Sequence, residues 1–283
     1  MNPDGSKFVR RLIFIYSKWR VTLSAIYLND WTFVKELKIR KNYMQRFYKF
    51  EQVFNVRDAG GYPTASGKNI RWKRIFRSAE HQRMSEVELR NFQSEVGIRT
   101  VIDFRSSGEA NDPRGVGAIS DAATKRYHFP MGDADSKYKS KRTGTWAPDY
   151  IGLLENQKDK WLEALNVVAD SESYPVLFHC VTGKDRTGVF AVLLLGILNV
   201  SDADILSDYE LSSQGMNDLI RNLRYRGVID ENEAPNPGLG VDASAMALAV
   251  EHIHTVYGGY REYARDCGAA DKLFTQLERL LLE

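Results

Sequence analysis

Between Pro175 and Leu198 a strand-like run, a tight loop and a uniformly apolar helix follow one another without a break. PVLFHC is short and apolar, the pattern of a strand buried on both faces. TGVFAVLLLGIL, from Thr187, has no polar face at the helical period and is stable as a helix only if covered all round. A buried strand feeding a buried helix is a unit of a parallel α/β sheet, and such sheets carry their sites at the C-terminal strand ends. The connecting segment is HCVTGKDRTG, His179 to Gly188. Gly183 and Gly188 let its backbone turn tightly and approach a ligand closely.

The residue types in this loop point to anion chemistry. Backbone amides at a helix N-terminus form an anion site. Cys180 opens the loop and Arg186 closes it, with five residues between. A thiol near a helix N-terminus and a cation is expected to ionise readily and to act as a nucleophile. Arg186 offers a planar fork matched to two phosphate oxygens. Thr187 is expected to donate its hydroxyl to the thiolate and help it leave. These groups suit phosphoryl transfer to sulfur followed by hydrolysis. A nucleotide-binding loop of the Walker type would need glycine at 178 and Ser or Thr at 185, where the chain has Phe178 and Asp185. A lone buried cysteine is usually structural, but this one comes with Arg186, two glycines and the apolar helix.

The rest of the chain alternates in the same manner. Asn55–Lys68 is turn-rich and is followed by a short strand ending near Arg77. Ser85 with Glu88 three residues later is a capping box, opening a helix over Ser85–Ser94. RTVIDFRS (Arg99–Ser106) and KRYHFP (Lys125–Pro130) read as strands. Met131–Pro148 has no period and reads as a long loop of the kind that often serves as a lid. A helix is expected from about Asp149 to Asp170, and helices from Asp202 to the end, broken at Pro235–Gly238. The fold class is α/β, a central, mostly parallel sheet flanked by helices. No internal repeat and no linker splits residues 51–283, which read as one domain.

Charge marks off the remaining segment. Residues 1–50 carry 11 Lys/Arg, 3 Asp/Glu and 11 aromatics, a net +8 against +2 for the whole chain, so the rest is −6. This segment reads as a basic, aromatic, helical N-terminal extension. Either it packs on the body as a solvated helical pair, or it lies on an anionic membrane surface or acidic partner. Lys18 and Arg20 interrupt its apolar stretch, which argues against a secretory signal, while its arginine-rich, acid-poor character also fits a transit peptide. The near-neutral whole argues against nucleic acid as partner. Two cysteines, Cys180 and Cys267, build no disulfide frame, so a reducing, cytoplasmic setting is expected. No apolar run approaches the roughly 18–20 residues of a membrane helix. The oligomeric state is not legible.

The loop resembles that of the cysteine-dependent phosphatases, in which a Cys, five residues and an Arg cradle phosphate. Gly-Lys-Asp-Arg-Thr-Gly is similar to the atypical bacterial-type tyrosine phosphatases that also take phosphoinositides. Further blocks resemble the same family: NVRDAGGY (Asn55–Tyr62), IFRSAE (Ile75–Glu80), VIDFRSSGE (Val101–Glu109) and SDYELS (Ser207–Ser212). The resemblance covers roughly residues 51–283 and leaves the first fifty outside it. It implies Cys180 as nucleophile and Arg186 as phosphate ligand, with the amides of Val181, Thr182, Gly183, Lys184, Asp185 and Arg186 holding the oxygens. It implies that His179 positions the thiolate by hydrogen bonding, and that no metal or cofactor is needed. Lys184 is expected at the mouth of the site, where it would favour phosphoinositides; a solvated surface charge is the plainer reading.

The general acid stays open. Asp185 lies within the loop and fits the family resemblance. Asp133 or Asp135 would sit on a movable loop, as in dual-specificity phosphatases. Asp103 ends a strand beside the loop and more readily pairs with Arg105. Asp58, Arg57 and Arg77 are expected in an ion-pair network near the site, and Cys267 reads as inert. Three functions follow: a phosphatase acting on phosphotyrosine, with phosphoserine, phosphothreonine and phosphoinositides in reach; a phosphoinositide phosphatase proper; or a catalytically weak phosphate-binding module. A rhodanese-like sulfurtransferase also uses a cysteine loop, but the Lys-Asp-Arg-Thr continuation argues against it.

Overall fold

The structure, a computed structural model, describes residues 46–132 and 145–283. Most of the basic extension, Asp133, Asp135 and most of the Met131–Pro148 segment lie outside the described residues. The described residues fall within one compact unit, Met44–Glu283.

Five strands form one sheet: β1 (Arg57–Asp58), β2 (Ile75–Ser78), β3 (Thr100–Asp103), β4 (Lys125–His128) and β5 (Val176–His179). Their order is β1-β2-β5-β3-β4; β1 runs antiparallel to β2, and all other pairs are parallel. Successive strand residues face opposite sides of a sheet, and both sides here are covered. Ile75, Ile102, Val176 and Phe178 enter the larger core; Phe76, Val101 and Leu177 enter a smaller one with Val53, Val56, Phe92 and Ile119. Burial on both faces explains why these strands read as continuous apolar runs.

The smaller core is closed by α1 (Glu86–Glu95), with α2 (Ser107–Ala110) and α3 (Ala118–Ala122) following. The capping box opening α1 forms as its sequence demands: Glu88 N donates to Ser85 Oγ at 3.2 Å, and Ser85 N to Glu88 Oε2 at 3.0 Å. The larger core holds α4 (Ala147–Asn156), α5 (Lys158–Ala169) and α6 (Asp185–Ile197), then α7 (Asp202–Glu210), while α8 (Ser212–Tyr225) adds no residue to it. It is completed by α9 (Ala243–His252), α10 (Tyr260–Asp266) and α11 (Asp271–Leu281). Every residue from Thr187 to Ile197 is buried, as an all-apolar helix requires. The single helix expected over 149–170 is two, broken at Gln157, whose φ of −125° and ψ of 24° leave the helical region. Trp161 seals the break by donating its indole N–H to Leu153 O at 2.8 Å.

Candidate active site

The parallel strands end level. Ser78, His179 and Asp103 share one row of the register, with His128 beyond Asp103. Cys180 follows β5 directly and is only 1% exposed. Lys184 caps α6, and Arg186 stands in its first turn. The loop from Cys180 to Arg186 therefore ends on the positive pole of a buried helix.

Gly183 sets how closely that loop lies on the sheet. Its φ is +65°, and a Cβ there would fall 2.3 Å from the Ser78 carbonyl oxygen. Asn55 Nδ2 donates to Thr182 O at 3.1 Å and to Gly183 O at 2.9 Å; Arg77 also donates to Gly183 O, at 2.9 Å. In a trans peptide the N–H opposes the carbonyl. Tying back the carbonyls of Thr182 and Gly183 thus turns the amides of Gly183 and Lys184 away from the frame.

The frame is a buried ion network. Asp208 on α7 meets Arg57 at 3.3 Å and Arg77 at 2.5 Å, and accepts a hydrogen bond from Tyr62 Oη at 3.0 Å. Burial alone would raise the Asp208 pKa, but Arg57 and Arg77 hold it well below the usual carboxylate range. Burial and the charge of Arg57 pull the Arg77 pKa down to about 10. The network expected from Arg57, Arg77 and Asp58 thus forms around a different anion. Asp58 instead accepts from the amides of Gly60 and Lys73, at 2.7 and 2.6 Å, and burial pushes its pKa up to about 6.

Arg186 is gripped from the opposite side. Glu109 receives it in a two-pronged contact, at 2.6 and 3.1 Å, and the carbonyls of Met131 and Phe104 accept from the same guanidinium at 3.0 and 3.3 Å. Glu109 is itself fixed as the third residue of α2, accepting from Ser106 N at 2.8 Å. Burial disfavours the charge on Arg186, but the Cys180 sulfur and Glu109 outweigh it and raise its pKa.

The other loop residues depart in part from expectation. His179 Nδ1 bonds the Cys180 carbonyl at 3.2 Å, so it braces the nucleophile's backbone rather than its sulfur. Burial lowers its pKa to about 4, and the ring is neutral at pH 7. Thr187 Oγ1 is buried without a hydrogen-bond partner, so its expected bond to the thiol is not made in this conformation. Lys184 is neither at the mouth nor a solvated charge, because its side chain is wholly buried. Its ammonium donates to Gly238 O at 3.1 Å and to Gly240 O, lies 3.3 Å from Asp185 Oδ1, and sits 4.9 Å from the centre of the Trp146 ring. Asp185, by contrast, is partly exposed. Asp103 is locked by Arg105 at 2.8 Å and Arg126 at 3.1 Å. Burial favours its neutral form, yet His179 and Arg105 overcome this and lower its pKa, which unsuits it to donate a proton near neutrality. Cys267 is buried and its pKa is pushed up to about 11, as an inert thiol requires.

The sequence did not single out Asn55, Asp208 and Glu109 as functional residues. Each lies inside a block that resembles the phosphatases, which was the available signal.

The family model described as "Tyrosine phosphatase family" matches residues 48–283. A Cupriavidus necator protein with a provisional tyrosine-protein phosphatase name is 30% identical over 237 residues, covering 78% of this chain and 84% of its own. The triple specificity protein phosphatase PtpB of Mycobacterium tuberculosis is 26% identical, over 81% of this chain and 97% of its own. The crystal structure of P. aeruginosa TpbA aligns with 67% of this chain and 97% of its own at 18% identity and a TM-score of 0.35. The family match takes in the Cys180–Arg186 loop and the whole frame behind it, and the chain belongs to the tyrosine phosphatase family, enzymes that hydrolyse phosphoric monoesters.

Proposed function

We propose that the chain hydrolyses phosphomonoesters through a cysteinyl-phosphate intermediate, with phosphotyrosine as the leading substrate. The observation that carries this reading is the pairing of Cys180, at the end of β5, with Arg186, in the first turn of α6, across a loop whose carbonyls are tied outward. Cys180 Sγ attacks phosphorus while the bond to the leaving oxygen breaks. Arg186 and the loop amides hold the three remaining oxygens as charge develops. Asp185 gives its proton to the leaving oxygen, and its carboxylate then takes a proton from the water that splits the S–P bond. Among the described candidates Asp185 fits this role, since Asp103 is held ionised by two arginines.

Phosphoserine, phosphothreonine and phosphoinositides belong to the same proposal. The name of PtpB, a triple specificity protein phosphatase, supports a substrate range wider than one phosphorylated residue type. A 35% match to the inositol diphosphatase DSP5 of Arabidopsis thaliana, over 68 residues and a third of that protein, supports reach to a phosphorylated inositol ring, the head-group chemistry of the last. The buried position of Lys184 favours phosphotyrosine over a phosphoinositide phosphatase proper. The basic residues 1–50 are proposed to touch anionic membrane on charge alone.

The test compares wild type with Cys180→Ser on an aryl phosphate, a phosphotyrosine peptide and short-chain phosphoinositides, in chelator. Release by wild type that is lost in the variant is expected, fastest from the peptide. No release from any of them by folded, reduced protein would overturn the assignment, and faster release from the lipids would reverse the substrate order.

A further inference from the structure

Tyr150 is wholly buried on α4, and its hydroxyl reaches the active-site loop. It donates to Asp185 Oδ1 at 2.8 Å, and Tyr209 Oη lies 2.6 Å from it. A hydroxyl carries a single hydrogen, and Tyr150 commits its own to Asp185. The pair therefore has a direction: Tyr209 gives to Tyr150, and Tyr150 gives to Asp185. Oδ1 also faces the Lys184 ammonium at 3.3 Å.

We propose that Tyr150 is a positioning residue that fixes Asp185 Oδ1 as an acceptor and so leaves Oδ2 as the oxygen that carries the catalytic proton. This rests on the assignment of Asp185 as general acid. An acid whose two oxygens exchange roles wastes half its orientations, and proton transfer needs the reacting oxygen within hydrogen-bond reach of the leaving group. As the P–O bond breaks and the S–P bond forms, the proton passes from Oδ2 to the leaving oxygen. Asp185 becomes a carboxylate, and Tyr150 still donates to Oδ1. The hydrogen bond therefore serves both protonation states without moving. Neither Tyr150 nor Tyr209 touches the substrate in this scheme.

Leaving-group dependence separates this role from a merely structural one. A poor leaving group needs the acid; a good one departs without it. kcat/KM is measured on the full chain for wild type, Asp185→Asn, Tyr150→Phe and Tyr209→Phe, with phenyl phosphate and p-nitrophenyl phosphate. Asp185→Asn is expected to lose about 100-fold on phenyl phosphate and far less on the nitrophenyl ester. Tyr150→Phe keeps the ring and its packing. It is expected to lose roughly tenfold on phenyl phosphate alone, the worth of one well-placed hydrogen bond, with inhibition by inorganic phosphate unchanged. Should Tyr150→Phe fail to fold by circular dichroism, Tyr209→Phe reports the same chain, because it reaches Asp185 through Tyr150, and its loss is smaller but selective in the same sense. Equal losses on both esters, or none, in the tyrosine variants beside a selective Asp185→Asn would overturn the role of Tyr150 and leave the acid assignment standing. An unselective Asp185→Asn would remove both.

Discussion

Arg57 and Arg77 are both wholly buried, and Asp208 is the carboxylate that answers them. Breaking a buried pair from one side strands a charge, at about 3–5 kcal/mol. Asp208→Asn leaves two guanidiniums uncompensated, so a loss of about 3–5 kcal/mol is expected in urea unfolding. Activity falls with it, because Arg77 also holds the Gly183 carbonyl. A loss under about 1 kcal/mol, the range of an exposed pair, would contradict this view of the frame. At this scale the sequence was legible where chemistry and spacing coincide. Cys180, Arg186 and the glycines announce themselves within ten positions. Asp208 lies 131 positions from Arg77, and no local pattern encodes a contact of that range. Lys184 misleads for the opposite reason: a lysine in a polar loop looks solvated until the Gly238–Gly240 carbonyls arrive from a distant turn.

The strand–loop–helix from Val176 to Ile197 is the element that makes the site, and its loop has no slack. At Gly183 an alanine would have to hold a φ of +65° and place its Cβ 2.3 Å from the Ser78 carbonyl oxygen. The left-handed backbone costs about 1–2 kcal/mol for a residue with a Cβ, and the contact with β2 moves the loop outward. Displacing a positioned group by about 1 Å can cost about 100-fold in rate. Gly183→Ala is therefore expected to lose about 100-fold in kcat/KM, with a smaller fall in melting temperature. Unchanged kinetics would show that the loop does not need its observed path. Elements of this kind read well from sequence because burial on all sides leaves an unbroken apolar run. The one-residue break at Gln157 did not, since the apolar period continues across it on both sides.

Across the whole molecule, buried titratable groups set how stability follows pH. Burial lowers the pKa of His179 to about 4 and that of His81 well below its ordinary value, while it raises Asp58 to about 6. A depressed histidine stays neutral in the folded chain while the unfolded chain takes up a proton, so stability is lost as pH falls below about 6.5. The raised Asp58 acts in the other direction: its contribution is full below its unfolded pKa and is lost as pH rises through about 6. His179 and Asp58 act in opposite directions, and His81, wholly buried, adds to the side of the histidines. The histidine contribution to unfolding free energy is expected to rise with pH up to about 6.5, and His81→Asn should make the slope less positive than wild type in urea titrations at stepped pH. An unchanged or steeper slope in His81→Asn would contradict the burial of that histidine in its neutral form. The α/β layering itself was legible from alternating strands and helices, and the antiparallel β1 was not, being two residues long. Each structural level converges on Cys180, and the most direct measurement is to stop turnover of an aryl phosphate with acid and sequence the modified peptide by mass spectrometry. One phosphoryl group on Cys180, absent from Cys180→Ser, is the expected result. Turnover at the wild-type rate by Cys180→Ser, or a phosphoryl group trapped on another residue, would contradict the cysteinyl-phosphate mechanism.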